Sequence, residues 1–476
     1  MMNDPSRPIG DRATYRTIWR LAWPQMLMMV FHFLIGFMDV LVAGRIGKDV
    51  QASMGIVSQS LFFFLIIAQA VANGSVSAIS QSAGAGLPRR VARYVGLCLM
   101  AGVAGGGVIV VLGLALHTPF LAALQVPEAI APVAGYMLSV ILLTLPAYSL
   151  LLITNAVFRA LKQVHIPLYT MIVITVVNTL GDFGLGLGWW GLPNMGYRGL
   201  VWATFGSVTM GMLFNVLVLA RQGLLRRASF PPLRWIRPAL PYLVKVAWPV
   251  GLMQVLWQTG YMVLYAITAS LPTESVNALA GMTTGMRVES ILFLPGFAFN
   301  MTASVLVGHY LGAGRPDEAR RAALRLVGFG CTMVSVMGFL VWQWITPIVA
   351  FIAPQAEVQA HATGYLWYNI LAIPFTVGSV TMAGVMTGAG ATFFTMIVYG
   401  GATWLVRLPL AYLLGHVWWG TSTGIWAAML VSQIIQASVM FLVLVSGRWS
   451  KYGMRKKRNQ QPPVPPGGVR NGPAAL

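Results

Sequence analysis

The second half of this chain repeats the first at an offset of 225 residues. The stretch Leu21–Pro24 (LAWP) returns as Val246–Pro249 (VAWP), and Thr170–Val173 (TMIV) returns unchanged as Thr395–Val398. A repeat of this length predicts two similar structural units. It also makes each half a control for the other, because a position that differs in charge between the halves is needed for something other than packing.

The composition is that of a membrane protein. Hydrophobic residues make up 57% of the 476 residues and charged residues only 9%, whereas a soluble protein carries roughly 25% charged residues. About twelve apolar segments are long enough to cross a ~30 Å hydrocarbon core as helices, which lipid requires because it offers the backbone no hydrogen-bond partners. They lie near 18–40, 53–82, 94–116, 131–156, 166–190, 198–220, 243–268, 277–311, 322–346, 362–389, 392–415 and 423–447.

An even number of spans in each half fixes how the halves are related. Six spans return the chain to the side from which it started, so the repeats are parallel and related by a pseudo-two-fold axis along the membrane normal. We therefore predict an all-α polytopic membrane protein with twelve transmembrane helices in two six-helix lobes. The predicted parts are an N-terminal segment 1–17, an N-lobe 18–220, a linker 221–242, a C-lobe 243–447 and a disordered, basic, Pro-rich tail 448–476.

The net charge of +20 reflects topology rather than nucleic-acid binding. Of the 31 Lys and Arg residues, 26 fall before span 1, after the even-numbered spans or in the linker and tail. By the positive-inside rule this side faces the cytoplasm, which places both termini there. The distribution predicts a multi-pass protein of the inner (plasma) membrane whose surroundings are lipid, with no nucleic-acid partner.

Three acids lie in or near spans, where an ionisable side chain is costly and marks a functional site by default. Asp182 follows Asn178 by one helical turn, so both face the same way, and Thr204 of the next span could add a hydroxyl. Asp39 lies toward the outer end of span 1. A structural Asp182 and an interfacial Asp39 are the competing interpretations. Glu289, near the start of span 8, is interpreted as an interfacial or gate residue.

The repeat decides between these interpretations. At the 225-residue offset the four polar residues correspond to dissimilar ones: Asp39 to Leu264, Asn178 to Thr403, Asp182 to Arg407 and Thr204 to Met429. Acids needed for packing would recur in both copies. Two carboxylates in one poorly solvated pocket repel each other, so we expect them to titrate as a coupled pair and to bind H⁺ or Na⁺.

Nothing in the sequence indicates an enzyme. The six histidines are dispersed without metal-ligand spacing, and no Gly-rich loop ends in the Gly-Lys-Ser/Thr of a P-loop. Cys98 and Cys331 fall inside spans and are expected to be core residues. We therefore expect no cofactor, no bound metal other than a coupling Na⁺, and no use of ATP.

Several short motifs, in this order, resemble the multidrug and toxic compound extrusion (MATE) family of secondary transporters over about residues 15–447. They are Pro24 with Asp39 and Gly44–Gly47 in and after span 1, Gly84–Gly86 and Gly312–Gly314 after spans 2 and 8, Arg159–Leu161 after span 4, Asn178 with Asp182 in span 5, and Arg407–Leu410 in span 11.

The resemblance implies an antiporter that exports organic, often cationic, compounds in exchange for H⁺ or Na⁺ by alternating access of the two lobes. It is similar to the branch whose cation site is in the N-lobe, and by position Asp39, Asn178, Asp182 and Thr204 match that site. Pro24 matches the proline at which span 1 bends. The residues expected in the substrate cavity are His32, Tyr136, Asn155, Met171 and Gln258.

Other functions stay open at this point. A lipid-linked sugar flippase of the same superfamily would share the architecture, and a non-coupled channel or membrane scaffold would not need the acids. The choice between H⁺ and Na⁺ also stays open, with H⁺ favoured because His32 adds a titratable neighbour. Small-molecule drugs are the expected partners of a monomeric protein.

Overall fold

The computed structural model describes residues 14–123, 126–272, 274–353 and 355–454. Within these ranges twelve helices are long and apolar enough to cross a membrane, which confirms the predicted all-helical, twelve-span architecture. Spans 1 to 12 are Tyr15–Ile46, Lys48–Gly84, Pro88–Ala122, Ala131–Ala160, His165–Gly186, Tyr197–Arg221, Leu233–Ala269, Ser275–Gly312, Pro316–Gln343, Ala356–Ala389, Thr392–Trp418 and Ser422–Ser446.

Spans 2 and 8 are longer than a bilayer requires. They contain 37 and 38 residues, or about 55 Å at 1.5 Å per residue, against a hydrocarbon core of ~30 Å. Both therefore extend past the apolar layer or tilt within it. Each ends on the side of the bundle where the linker lies. We call this end of the bundle the linker side.

Spans 5 and 11 both depart from regular α-helix. Span 5 continues as a π-helix over Asp182–Gly186, and span 11 does so over Ala402–Arg407 and again over Leu413–Trp418. The neighbouring helices approach these wide turns very closely. A Cβ atom at Gly199 would collide with the carbonyl of Leu185, and one at Gly424 with the carbonyl of Leu414. Glycine is required at both positions because backbone packs directly on backbone.

Each lobe has its own core. In the N-lobe, Met137 and Leu142 of span 4 are fully buried in one apolar cluster, and in the C-lobe Tyr365 and Trp426 are buried in another. The aromatic rings of Tyr365 and Trp426 meet edge to face at 5.0 Å. Two further apolar clusters contain residues of both lobes: Ile18 lies in one with Phe299, and Val76 lies in the other with Val305.

The lobes are joined on the linker side. Spans 2 and 8 cross there so closely that a Cβ at Gly84 would collide with the backbone of His309, and one at Gly312 with that of Gln81. Within the described ranges, the hydrogen bonds between lobes all join the linker-side portions of the spans. The bundle is therefore closed at this end.

The chain that follows span 12 is partly folded, unlike the predicted disordered tail. Arg448–Tyr452 forms a short 3₁₀-helix in which Trp449 is completely buried. The backbone N–H of Met454 then donates to Oε1 of Gln81 at 2.7 Å. Burial of a large aromatic side chain explains why these residues are ordered. Residues 1–13 and 455–476, the rest of the predicted terminal segments, lie outside the described residues.

The linker is also shorter than predicted. The helix of span 7 begins at Leu233, so that only 222–232 separates it from span 6, instead of 221–242. Pro238 and Pro241 lie inside this helix near its start. Both lie beyond the first turn, so each removes an N–H from the helical hydrogen bonds and leaves a carbonyl one turn earlier without that donor.

The glycine contacts yield a first prediction. Gly199→Ala and Gly424→Ala each force a methyl group against a carbonyl and should destabilise the protein by about 1–3 kcal/mol, as overpacking does. Thermal unfolding in detergent measures this. Gly206→Ala is the matched control, because it lies on the same helix as Gly199 with open space around it. Equal melting temperatures for Gly199→Ala and Gly206→Ala would contradict the proposed close contact.

Candidate cation site

Asp182 lies at the point where span 5 changes from α-helix to π-helix. The α-helical part ends at Gly181 and the π-helix begins at Asp182, whose side chain is completely buried. Asn178, one turn earlier, is also buried. Single π-helical turns inside α-helices occur frequently at functional sites, because the extra residue re-aims the side chains that follow.

The four residues predicted to bind a cation come together. The carboxyl group of Asp39 on span 1 is within hydrogen-bonding reach of the Asp182 carboxyl and of the Asn178 amide. The amide Nδ2 of Asn178 donates to Oγ1 of Thr204 on span 6 at 3.4 Å, and this hydroxyl donates to the carbonyl of Leu200 at 3.1 Å. Spans 1, 5 and 6 thus supply one polar cluster, whose function remains a prediction.

The oxygen atoms of this cluster lack donors. Within the described residues, Asp39 Oδ1, Asn178 Oδ1 and both carboxylate oxygens of Asp182 are buried and accept no hydrogen bond from a donor group of the chain. An ionised carboxylate only accepts, so two facing carboxylates cannot bond each other unless one carries a proton. Buried acceptors without partners cost about 1–3 kcal/mol each. The arrangement is chemically suited to H⁺ or a small cation.

Tyr148 belongs to the same surroundings and was missed in the sequence. Its half-buried phenol on span 4 lies close enough to Asp39 to interact with it electrostatically. No motif marks this tyrosine, because its importance depends on how span 4 is rotated against span 1.

The corresponding region of the C-lobe is built differently. Arg407 replaces Asp182 and is buried, with Nε donating to Ser432 Oγ at 2.9 Å and the guanidinium 5.8 Å from the ring centre of Tyr261. Glu289 is buried nearby, accepts a hydrogen bond from the Tyr365 hydroxyl and interacts electrostatically with Arg407. The interpretation of Glu289 as an interfacial residue is therefore wrong. It lies well inside span 8, which begins at Ser275.

The residues predicted to line a substrate cavity are dispersed. His32 is exposed on span 1, Met171 is buried beside Met28 and Leu151, and Gln258 is half-buried on span 7. Oδ1 of Asn155 accepts from Nδ2 of Asn215 at 2.8 Å. These contacts place Asn155 and Met171 in N-lobe packing rather than beside the acids.

Tyr136 lies in a further, aromatic group. Its hydroxyl accepts from the indole N–H of Trp202 at 3.1 Å, and the guanidinium of Arg198 lies 5.0 Å from its ring centre. Arg198 is at the start of span 6, on the side opposite the linker. The role of all five residues in a cavity remains a prediction.

A second prediction concerns stability. Asp182→Asn supplies an N–H₂ group to the donor-poor cluster and removes one of two facing charges, so the variant should unfold at a higher temperature than the wild type, by a stabilisation of about 1–3 kcal/mol. Differential scanning fluorimetry in detergent measures the shift. Asp49→Asn, at an exposed position in the first turn of span 2, is the control and should change little. A lower melting temperature for Asp182→Asn would show that the acid is a structural anchor.

Two family models match the chain. The one described as MatE matches residues 24–183 and 249–413, which covers both halves and more than half of the chain. The other, described as Lipid II flippase MurJ, matches residues 109–270, about a third of the chain.

Relatives align over almost the full length. Multidrug resistance protein PmpM of Pseudomonas aeruginosa is 27% identical over 97% of this chain and 98% of its own length. The probable multidrug resistance protein NorM of Thermotoga maritima is 24% identical over 91% and 92%. A crystal structure of a mutant of the Vibrio cholerae MATE transporter VcmN has the same fold, with a TM-score of 0.83 over 92% of this chain and 98% of that one at 19% identity.

The match to the MatE model in both halves agrees with the internal repeat and with the two-lobed fold. We conclude that the chain belongs to the multidrug and toxic compound extrusion (MATE) family.

Proposed function

We propose that this protein is a secondary active multidrug efflux antiporter that exports organic, often cationic, compounds in exchange for H⁺ or Na⁺. The observation that carries the proposal is the cluster of Asp39, Asn178, Asp182 and Thr204, which brings two acids together in only one of the two repeated lobes. The relatives named as multidrug resistance proteins support efflux as the activity.

The orientation follows from charge. The linker side carries most of the Lys and Arg residues, so the positive-inside rule places it in the cytoplasm of the inner membrane. The structure, closed on the linker side, then corresponds to a state that opens outward. A net positive charge that moves inward with the membrane potential gains ~2.3 kcal/mol per 100 mV, which helps to export a neutral compound. Exchange of one H⁺ for one monovalent organic cation moves no net charge and is driven by the pH gradient.

The mechanism rests on neutralisation of the acid pair. A cation taken up from outside removes the repulsion between Asp39 and Asp182, and span 1 can then repack against span 5. Pro24, buried in span 1, lacks the N–H that would bond one turn back and gives this helix a place to bend. Movement of span 1 displaces the drug outward, and rocking of the lobes carries the cation inward.

We take H⁺ as the coupling ion. Two carboxyl groups within hydrogen-bonding reach are bridged by a single proton without further ligands. Na⁺ would need the oxygens of Asn178 and Thr204 as further ligands, so the proton makes the smaller demand on the site.

The third prediction is loss of coupled efflux. The assay follows transport of a fluorescent cation such as ethidium in proteoliposomes with a pH gradient imposed in either direction. Asp39→Asn and Asp182→Asn should each abolish gradient-driven transport, because a site with only one carboxyl group cannot exchange the proton. Asp49→Asn should transport as the wild type does. Undiminished coupled transport in both site variants would exclude the proposed site.

The same vesicles separate the coupling ions. A Na⁺ gradient at equal pH on both sides should drive little efflux, whereas a pH gradient without Na⁺ should drive it fully. The reverse result would assign Na⁺ to the site. Accumulation against a concentration difference also separates a transporter from a channel, which only dissipates gradients.

A lipid-linked sugar flippase is the second candidate, favoured by the match to the MurJ model over 109–270. Flipping of a fluorescent lipid-linked sugar in these vesicles, without export of organic cations, would select it. The fuller MatE match and the acid cluster support drug efflux instead.

A further inference from the structure

On the linker side, two equivalent hydrogen bonds join the lobes. Nε2 of Gln81 on span 2 donates to the carbonyl of Gly388 on span 10, and Nε2 of His309 on span 8 donates to the carbonyl of Ala160 on span 4, both at 2.8 Å. His309 follows Gln81 by 228 residues, and Gly388 follows Ala160 by the same number. This is also the offset between Gly84 and Gly312. The two bonds are therefore equivalent under the internal repeat.

Both bonds join one lobe to the other. Each acceptor is a carbonyl in the last turn of a span, where backbone oxygens have no intrahelical partner. When the lobes separate at this end, water can replace the side chain at either carbonyl. The bonds therefore exist in the closed arrangement only.

Close backbone contacts surround the pair. In addition to Gly84 and Gly312, a Cβ at Gly308 would collide with the hydroxyl of Ser80. Helices that pack this closely cannot slide partway past each other, so we expect the contact between the lobes to be either fully formed or fully separated. A two-state contact of this kind is what a gate requires.

The two halves differ in charge. His309 is titratable and Gln81 is not. Lys162, in the loop between spans 4 and 5, acts electrostatically on His309, and its equivalent at the 228-residue offset is Gly390. Both residues have left-handed backbone conformations, with φ of 62° and 75°. Burial of the Lys162 ammonium lowers its pKa to about 8, and below that pH it stays charged.

The backbone beside His309 is closely packed by uncharged groups. Gly84 of span 2 approaches the His309 carbonyl, and Ser80 of span 2 and the Gly388 carbonyl of span 10 lie against Gly308. Arg159, at the end of span 4, is directed at the sulfur of Met301. An imidazolium at His309 would therefore face the ammonium group of Lys162.

We propose that Gln81 and His309 are the paired gate residues of the linker side, and that protonation of His309 beside Lys162 opens this gate. Once the gate opens and water reaches it, the His309 imidazole takes up a proton between pH 5 and 8. The resulting imidazolium cannot easily return to the buried position beside the charged Lys162. The gate is thus predicted to loosen as the pH on the linker side falls. This inference rests on the alternating access of the proposed function but not on the acid pair.

The test measures the gate without substrate or gradient. Spin labels replace the exposed Arg89 in the N-lobe and Arg320 in the C-lobe, on a background with Cys98→Ala and Cys331→Ala, and pulsed dipolar spectroscopy gives the distance between them at about pH 6 and about pH 8. The wild type should shift from the short to the long distance as the pH falls.

Matched variants come from the repeat itself. His309→Gln copies the other half of the gate and should stay closed at both pH values. Lys162→Gly copies Gly390 and should weaken the pH shift while it keeps the closed state, because burial of His309 still opposes its protonation. His309→Ala should lower the ratio of closed to open molecules roughly five- to tenfold at both pH values, as loss of one hydrogen bond does, and His309→Gln should restore it.

Two results would overturn the proposal. One is a pH shift that persists in His309→Gln, which would place the sensor elsewhere. The other is an unchanged distance distribution in His309→Ala, which would show that the bond does not hold the gate. Asp39→Asn and Asp182→Asn leave His309 and Lys162 in place, so they should keep the pH response of the gate even where they change its starting distance. Failure of the gate and failure of the cation site are therefore distinguishable.

Discussion

A bilayer offers no hydrogen-bond partners, and this constraint accounts for most of the molecule. It requires each of the twelve spans to be helical, and it requires polar side chains inside the spans to find partners within the protein. Asn215 does so with Thr154, Asn155 and Thr170, and Arg407 does so with Ser432. The cluster around Asp39 and Asp182 is different, since four buried acceptor oxygens there receive no donor from the described chain. Stability is given up at this point, as is common at functional sites.

The internal repeat indicates that the acid cluster has a function other than packing. Spans 5 and 11 both contain π-helical turns, and in each lobe a glycine of the next span packs on such a turn. At equivalent positions the N-lobe has Asp182, whose carboxylate oxygens accept no hydrogen bond from the described chain, and the C-lobe has Arg407, which donates to Ser432. A fold that needed the acid for packing would have it twice. The proposed division is that the N-lobe binds the coupling cation while the C-lobe provides a matching rigid body.

The sequence allowed the cation site to be predicted because charged residues are rare inside the spans. In spans with almost no ionisable residues, Asp39 and Asp182 stand out, and helical spacing adds Asn178, so the cluster could be predicted. Partners that depend on helix rotation could not: nothing in the sequence connects Glu289 with Tyr365, 76 residues away, or Tyr148 with Asp39. The Gln81–His309 equivalence was hidden by the three-residue slip in the repeat. Trp449, a large aromatic residue within a basic stretch, indicates that the chain after span 12 folds back on the bundle, but this signal was overlooked in the sequence.

The central claim is that the acid pair exchanges a proton for an organic cation. The most direct measurement is proton release on binding, followed with a pH indicator in weakly buffered detergent solution while tetraphenylphosphonium is added. The account predicts release of about one proton per bound cation in the wild type, since two facing carboxyls share one proton, and none in Asp182→Asn. Binding to the wild type without proton release, or equal release from Asp182→Asn, would contradict it.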